Sequence, residues 1–307
     1  MFRFILRRLL EIIPVFFVIV TIVFFLVRLA PGGPFEQGER YVPPEVLEQI
    51  RAAYNLDAPL YIQYADYLKG LLRLDLGPSM QQPTRSVTEW IVLRVPASLE
   101  LGAYALLVAL LVGLCAGVVA ALRPNSVTDY GPMSLAMIGI CIPTFVLGPV
   151  LVLIFSLWLD WLPVAGWNNP QDKILPSITL GAAYAAYVAR LARGGMFEVL
   201  AQDFIRTARA KGLSEARIVL KHALRGGIQP VVSFIGPAAA GLMTGSFVVE
   251  KIFQVPGLGK QFVEAAFNRD YTMLMGAILF YAVLILLFNL IVDICQALLD
   301  PRVRHDA

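Results

Sequence analysis

Six stretches of roughly 20 mostly apolar residues, at 9–29, 98–122, 134–159, 174–192, 228–249 and 273–298, constrain this chain more than any other feature. The hydrocarbon core of a bilayer is about 30 Å thick, and an α-helix crosses it with roughly 20 residues. No water is present there to satisfy the backbone, so each run must bond its own N–H and C=O groups as a helix. Composition agrees, because 58% of the 307 residues are hydrophobic and 15% are charged, against about 25% charged in soluble domains. The expectation is an all-α integral membrane protein with six transmembrane helices. The fourth run, rich in Ala and Gly and carrying Tyr184 and Tyr187, suits a helix packed among helices.

The first run follows Arg3, Arg7 and Arg8, as a signal peptide would. It is longer than the ~7 to 15 apolar residues of such a peptide, and Arg28 stands where a cleavage site wants a small residue. An uncleaved first span is expected. Basic residues are retained on the cytoplasmic side. Arg3, Arg7, Arg8 and Arg123, the cluster from Arg190 to Arg225, and Arg302 and Arg304 fall on one side if the N-terminus is cytoplasmic; the short loops opposite hold Lys173, Lys251, Lys260 and Arg269. Both termini are therefore placed in the cytoplasm. The chain reads as a flank and first span (1–30), an outside segment (31–97), a five-span core (98–298) and a tail (299–307). In the outside segment, Pro43 and Pro44 open a helix over 45–54. A second helix follows from Leu60, Tyr64, Tyr67, Leu68 and Leu71, and the two act either as a structural cap or as a docking face.

Several chemistries are missing. The only Gly-Lys pair, Gly259-Lys260, is followed by Gln261, with Gln254 where a phosphate-cradling loop needs its first glycine. The chain is thus not its own ATPase. Its histidines, His222 and His305, do not form HExxH, and Cys115, Cys141 and Cys295 lie in apolar runs with neither disulfide nor metal spacing. A net charge of +3 gives no reason to invoke nucleic acid. No catalytic constellation, metal site or cofactor site is expected.

Charges inside spans cost roughly 2.5 to 3.5 kcal/mol each on insertion scales. Glu11, Arg28, Glu100, Arg190 and Glu250 stand near span ends, where reaching the interface explains them. Asp293 and Asn289 share one face of the last span and fit either a polar passage or a bond to a neighbouring helix. Gly113 with Gly117, and Gly241 with Gly245, give GxxxG spacings for close helix approach. Pro143 and Pro237 permit kinks. Pro143, Tyr184, Tyr187, Asn289 and Asp293 are the candidate path or gate residues. The scarcity of deep charge argues against a proton- or sodium-coupled carrier.

The cytoplasmic stretch 194–227 is the most informative. Phe197, Leu200, Ala201, Phe204, Ile205 and Ala208 recur at helical spacing, predicting one amphipathic helix with Arg206 and Arg209 on its other face. Gly212 then interrupts it as a left-handed cap, and Ser214 with Glu215 opens a second helix through Ala223 and Leu224. Such an elbow fits a groove in a soluble partner, or rests on anionic lipid.

The run Phe204-Ile205-Arg206-Thr207-Ala208-Arg209-Ala210-Lys211-Gly212-Leu213, with His222-Ala223-Leu224-Arg225 after it, resembles the coupling motif of ATP-binding-cassette importer permeases in its peptide-transporter variant. Arg206 stands where the general importer pattern has Glu, and Arg225 where it has Pro, as in the peptide and nickel branch. Three further segments resemble that branch: Arg7-Arg8-Leu9-Leu10 through Arg28-Leu29-Ala30-Pro31-Gly32; Leu56-Asp57-Ala58-Pro59-Leu60 with Leu74-Asp75-Leu76-Gly77; and Gly245-Ser246-Phe247-Val248-Val249-Glu250 through Asn268-Arg269-Asp270-Tyr271. The chain is most similar to the B-type permease subunits of oligopeptide importers. The resemblance implies a type I importer permease fold in the bacterial inner membrane and a homologous second permease subunit. It also implies two cytoplasmic ATPase subunits that bind the ATP, an extracytoplasmic peptide-binding protein and a peptide substrate. Phe204, Arg206, Thr207, Ala208, Arg209, Lys211, Gly212, Leu213, His222 and Leu224 would form the ATPase-coupling site. Dipeptides, glutathione or nickel are alternative cargoes. An ion-coupled carrier and a membrane scaffold are the rival classes.

Overall fold

The computed structural model describes residues 2–29, 55–82 and 84–299. The helix expected over 45–54, Arg302, Arg304, His305 and both chain ends lie outside the described residues. Among those described, all regular structure is helical apart from an isolated bridge between Pro78 and Ser86. In order the helices are α1 (Phe2–Leu29), α2 (Leu60–Leu72), α3 (Val87–Leu122), α4 (Val127–Cys141), α5 (Thr144–Trp158) and α6 (Ile174–Leu200). Then come α7 (Asp203–Ala210), α8 (Glu215–Gly227), α9 (Gln229–Met243), α10 (Phe247–Ile252), α11 (Leu258–Phe267) and α12 (Tyr271–Leu299).

Four of these, α1, α3, α6 and α12, are each long and apolar enough to cross a bilayer. The pairs α4–α5 and α8–α9 pass the same test only together, bent by 112° and 55°; counting each pair as one crossing gives the six expected. The third span therefore departs from the single run read at 134–159. It is helical from Val127 and breaks at Ile142, whose ψ of 118° is extended. The residue before a proline is pushed out of the helical region, and Pro143 has no N–H to continue the ladder, so the chain turns instead of kinking. The fifth run, read as 228–249, also divides. Helix α9 stops at Met243, Gly245 takes φ +74°, and Ser246 caps α10 by accepting from Val249 N at 3.4 Å. Gly245 is thus a turn residue and not a packing glycine; only Gly241 of that pair lies in a helix. Helix α3 begins well before residue 98, started by a reciprocal capping box: Glu89 N donates to Ser86 Oγ (3.1 Å) and Ser86 N to Glu89 Oε2 (3.3 Å).

The chain divides into two compact units. One comprises Met1–Pro96 with Gly257–Leu286, the other Ala97–Pro256 with Leu287–Ala307. In the first, α2 lays Tyr64 and Tyr67 against Phe24 of α1, with ring centroids 5.2 and 5.7 Å apart, and Tyr64 and Thr21 share a 2.7 Å hydroxyl bond. Burial pushes the Tyr67 phenol well above its ordinary range. Asp270, itself buried, organises the other side of this unit. It accepts from Ser79 Oγ, Met80 N (3.2 Å), Gln81 N (3.3 Å), Thr272 Oγ1 (3.0 Å) and Met273 N (3.0 Å). The loop at 79–81 is thereby stapled to the first turn of α12.

In the second unit α6 is the central post, with 56% of its membrane window buried. A Cβ on Gly113 of α3 would lie 2.6 Å from the Ala185 carbonyl oxygen, and one on Gly117 would strike that of Ala189, so the two backbones touch as the spacing predicts. Gly139 of α4 meets the Ala182 carbonyl in the same way. Glu250, expected at an interface, is instead fully buried on α10 and accepts from Ser98 Oγ at 2.8 Å. Glu100 is engaged by Lys173 and by Trp167 Nε1 (3.0 Å), which pins the 160–173 loop to α3.

Candidate functional site

The stretch 194–227 forms an elbow, built differently from the single amphipathic helix read over 197–208. Helix α6 runs on to Leu200, Gln202 is extended (ψ 154°), and α7 starts afresh at Asp203. Periodicity carries no record of the change of direction, because apolar residues recur on both sides of it. Its consequence is a different inner face. Phe197 and Phe204 are half exposed (50% and 47%), whereas Ile205 and Ala208 are buried. They pack with Ala121, Met196, Ile218, Val219 and Ala223, against which Leu200, Leu213 and Leu224 also rest. Asp203 in the first turn of α7 suits the positive end of the helix dipole and pairs with Arg206 Nη1 at 3.3 Å.

The end of α7 follows its sequence closely. Gly212 adopts φ +76°, its N–H reaches the Arg209 carbonyl (2.9 Å), and Leu213 N reaches that of Ala208 (3.3 Å). These two bonds make a Schellman cap, and Leu213 supplies the apolar contact that usually accompanies it. Across the turn Arg209 grips Glu215 with two bonds, Nε to Oε1 at 2.8 Å and Nη2 to Oε2 at 3.3 Å. These bonds hold the guanidinium above its usual value. Helix α8 winds as wide π turns over Ile218–Ala223 and returns to α6, where a Cβ on Gly195 would run into the Gly227 carbonyl. The elbow is thus clamped at both ends.

Of the expected coupling residues, Phe204, Arg206, Thr207, Arg209, Lys211 and Gly212 are exposed and lie together on α7 and its cap. Leu213, His222 and Leu224 are half-buried, and Ala208 belongs to the apolar core. Among the path or gate candidates, Tyr184 and Tyr187 come together against Phe234 of α9, with centroids 6.4 and 6.0 Å away, and the Tyr184 hydroxyl occupies the space a Cβ on Gly241 would need. Pro143 marks the α4–α5 bend. Asn289 is exposed and Asp293 half-buried on α12, a helix that meets α9 where Val292 fills the place of a Cβ on Gly236.

Sequence reading missed one pair. Asp129, in the first turn of α4 and 1% exposed, accepts both Nε (2.6 Å) and Nη2 (2.7 Å) of Arg193 on α6, and the N–H of Asn125 at 2.9 Å. By position alone Arg193 reads as one of the basic residues of the 190–225 cluster that set orientation. The one available signal was a carboxylate three residues after the Ser126 start of a membrane helix, where a lone charge is costly.

With this arrangement described, comparison with known proteins identifies the class. Residues 113–305 match the family of binding-protein-dependent transport system inner membrane components, and residues 1–101 match the N-terminal region of such components. The chain is 48% identical over 307 residues to the oligopeptide transport system permease protein OppB of Haemophilus influenzae and 49% to that of Escherichia coli K12, covering 99% of this chain and 100% of each relative. It is 43% identical to the dipeptide transport system permease protein DppB of Bacillus subtilis, over 99% of this chain and 98% of that one. Two solved structures share the fold at 18% identity. They are an amino acid ABC transporter (TM-score 0.52, 68% of this chain, 94% of that chain) and the MetNI methionine ABC transporter (0.51, 70% and 94%). The chain belongs to the family of binding-protein-dependent transport system inner membrane components. It is a multi-pass inner-membrane permease with the type I ABC importer fold.

Proposed function

We propose that this chain is one of two permease subunits in an ATP-driven oligopeptide importer, and that the elbow is the surface gripped by separate cytoplasmic ATPase subunits. The observation that carries the cargo assignment is full-length identity of 48–49% to oligopeptide permeases, against 43% and 40% to dipeptide permeases. The elbow reading is supported by its construction: the apolar core of α7 and α8 is completed by Ala121 and Met196, so Phe204, Arg206, Thr207, Lys211 and Gly212 are left exposed, Arg206 and Thr207 bonded only locally to Asp203. A rigid knob of this kind transmits the movement of a partner as a lever rather than absorbing it. A loaded peptide-binding protein docks on the outside face of the membrane.

Purified permease pair and ATPases in liposomes, with binding protein inside and ATP outside or the reverse, test the assignment. Uptake of a labelled oligopeptide that requires both ATP and binding protein is expected; uptake driven by an ion gradient alone overturns it. A reporter inserted at Ser214 is expected to report cytoplasm, and an outside signal overturns the orientation.

A further inference from the structure

We infer that Asp129 and Arg193 are positioning residues that lock α4 to α6 so that a push on the elbow moves both helices as one body; this rests on the permease reading above. Four observations in the second unit converge on it. The bond is bidentate, 2.6 and 2.7 Å, with the carboxylate buried and a third acceptor site on it taken by Asn125 N, which narrows the pair to one geometry. It joins a helix that carries no part of the elbow to the one that leads directly into it, seven residues before the end of α6 at Leu200. At the other end of the same helix pair Gly139 presses on the Ala182 carbonyl, so α4 and α6 are fixed together at two separated points. Finally, Ala121, at the end of α3 and just before the Asn125 turn, packs in the elbow core with Met196, Ile205 and Ile218. The α3–α4 turn is therefore held to the elbow through apolar contact and to α6 through the ion pair.

Without the pair, α6 can still be driven by the elbow, but α4 is held to it only at Gly139, so the push passes less completely to α4 and to the α5 that follows the 112° bend. Hydrolysis then continues while less of the movement reaches those helices. A merely structural bond would lower hydrolysis and uptake in proportion; a lock lowers the ratio between them.

The test uses the complete reconstituted assembly and measures peptide taken up per ATP hydrolysed, alongside the amount of assembled complex. Asp129→Asn and Arg193→Gln are expected to assemble and to hydrolyse ATP in response to loaded binding protein, with uptake per ATP lowered about fivefold. The exchange of Asp129→Arg with Arg193→Asp is expected to recover part of that ratio. Arg193→Lys keeps the charge but not the fork, and is expected to fall between wild type and Arg193→Gln. If the neutral variants fail to assemble, Arg193→Lys carries the test. An unchanged ratio in Asp129→Asn, Arg193→Gln or Arg193→Lys, whichever of them assemble, or losses of uptake and hydrolysis that match, overturns the inference. A wild-type assembly that takes up no peptide with ATP overturns the permease reading instead, and the inference with it.

Discussion

The elbow at 203–227 and the Asp270 staple at 79–81 and 270–273 do the same mechanical job with opposite materials. Each fixes a short, irregular piece of chain against a long helix. The elbow does so with apolar side chains, Ile205, Ile218 and Ala223, and turns its polar ones outward. The staple does so with polar groups turned inward, one buried carboxylate collecting donors from Ser79, Met80, Gln81, Thr272 and Met273. The difference teaches where partner contacts can change without unfolding the protein. Exposed polar residues of the elbow are free to be matched to a partner surface, in the proposed function that of an ATPase, whereas the carboxylate of the staple is already committed.

The largest effect should follow from breaking the staple. Asp270→Ala takes away the carboxylate that accepts from the backbone N–H groups of Met80, Gln81 and Met273 and from the Ser79 hydroxyl, and is expected to cost on the order of 3–5 kcal/mol. Loss of the protein from membranes, or a collapsed melting temperature of the detergent-purified complex, would register it. Asp203→Ala on the exposed face of α7 should leave both readouts unchanged, and equal damage from the two variants would erase the comparison.

Next comes the core of the elbow. Ile205 is fully buried, and Ile205→Ala is expected to cost about 2–4 kcal/mol by leaving a cavity. That loss should stay local. Amide exchange over 203–224 is expected to speed up, with residues 79–82 and 270–275 unaffected and ATPase co-purification reduced.

Gly212→Asp follows. A side chain at φ +76° costs about 1 kcal/mol, and nothing lies within 4 Å of the position it would occupy. Insertion and melting should be close to wild type while ATPase co-purification and uptake are lost. Normal co-purification and uptake together would retire the elbow as the coupling surface.

How much of this was legible from residues alone depends on whether the cause is local. The turn at Gly212 was, because a glycine after a short helix with a leucine next to it is a complete local cap. The tight approach of Gly113 and Gly117 to another helix was too, since small residues four apart carry that meaning wherever they occur in a span. The break at Ile142 is legible in place, because Pro143 permits a kink there, but not in its 112° size. Breaks at Gln202 and Thr244 are not legible, because apolar residues recur at helical spacing on both sides of them. The inward turn of Asp270 and the Asp129–Arg193 lock were likewise hidden, because each joins positions far apart in the chain, 64 residues in the second case. The charge of Glu250 sat at the end of an apolar run in sequence, yet the turn at Gly245 folds it into the interior.

The smallest effect sharpens the comparison most. Arg209 is exposed on the elbow and also braces the Gly212 turn through Glu215. If bracing is its role, it behaves like a weak, exposed version of the Asp270 staple. If it touches the partner, it belongs with Arg206 and Lys211. An exposed pair contributes little to stability, so neither Arg209→Gln nor Glu215→Gln should move the melting temperature. Their effect on ATPase affinity separates the roles. Bracing predicts equal, small losses for the two single variants and no further loss in the double, since both break the same two-bond pair. Direct contact predicts a larger loss for Arg209→Gln than for Glu215→Gln, deepening as salt is lowered, because the removed charge is then one the partner was using. The two-bond grip across the turn favours the first outcome. Measuring co-purification of the ATPase with all three variants at low and high salt would decide whether the outward face of the elbow begins at Arg209 or just beyond it.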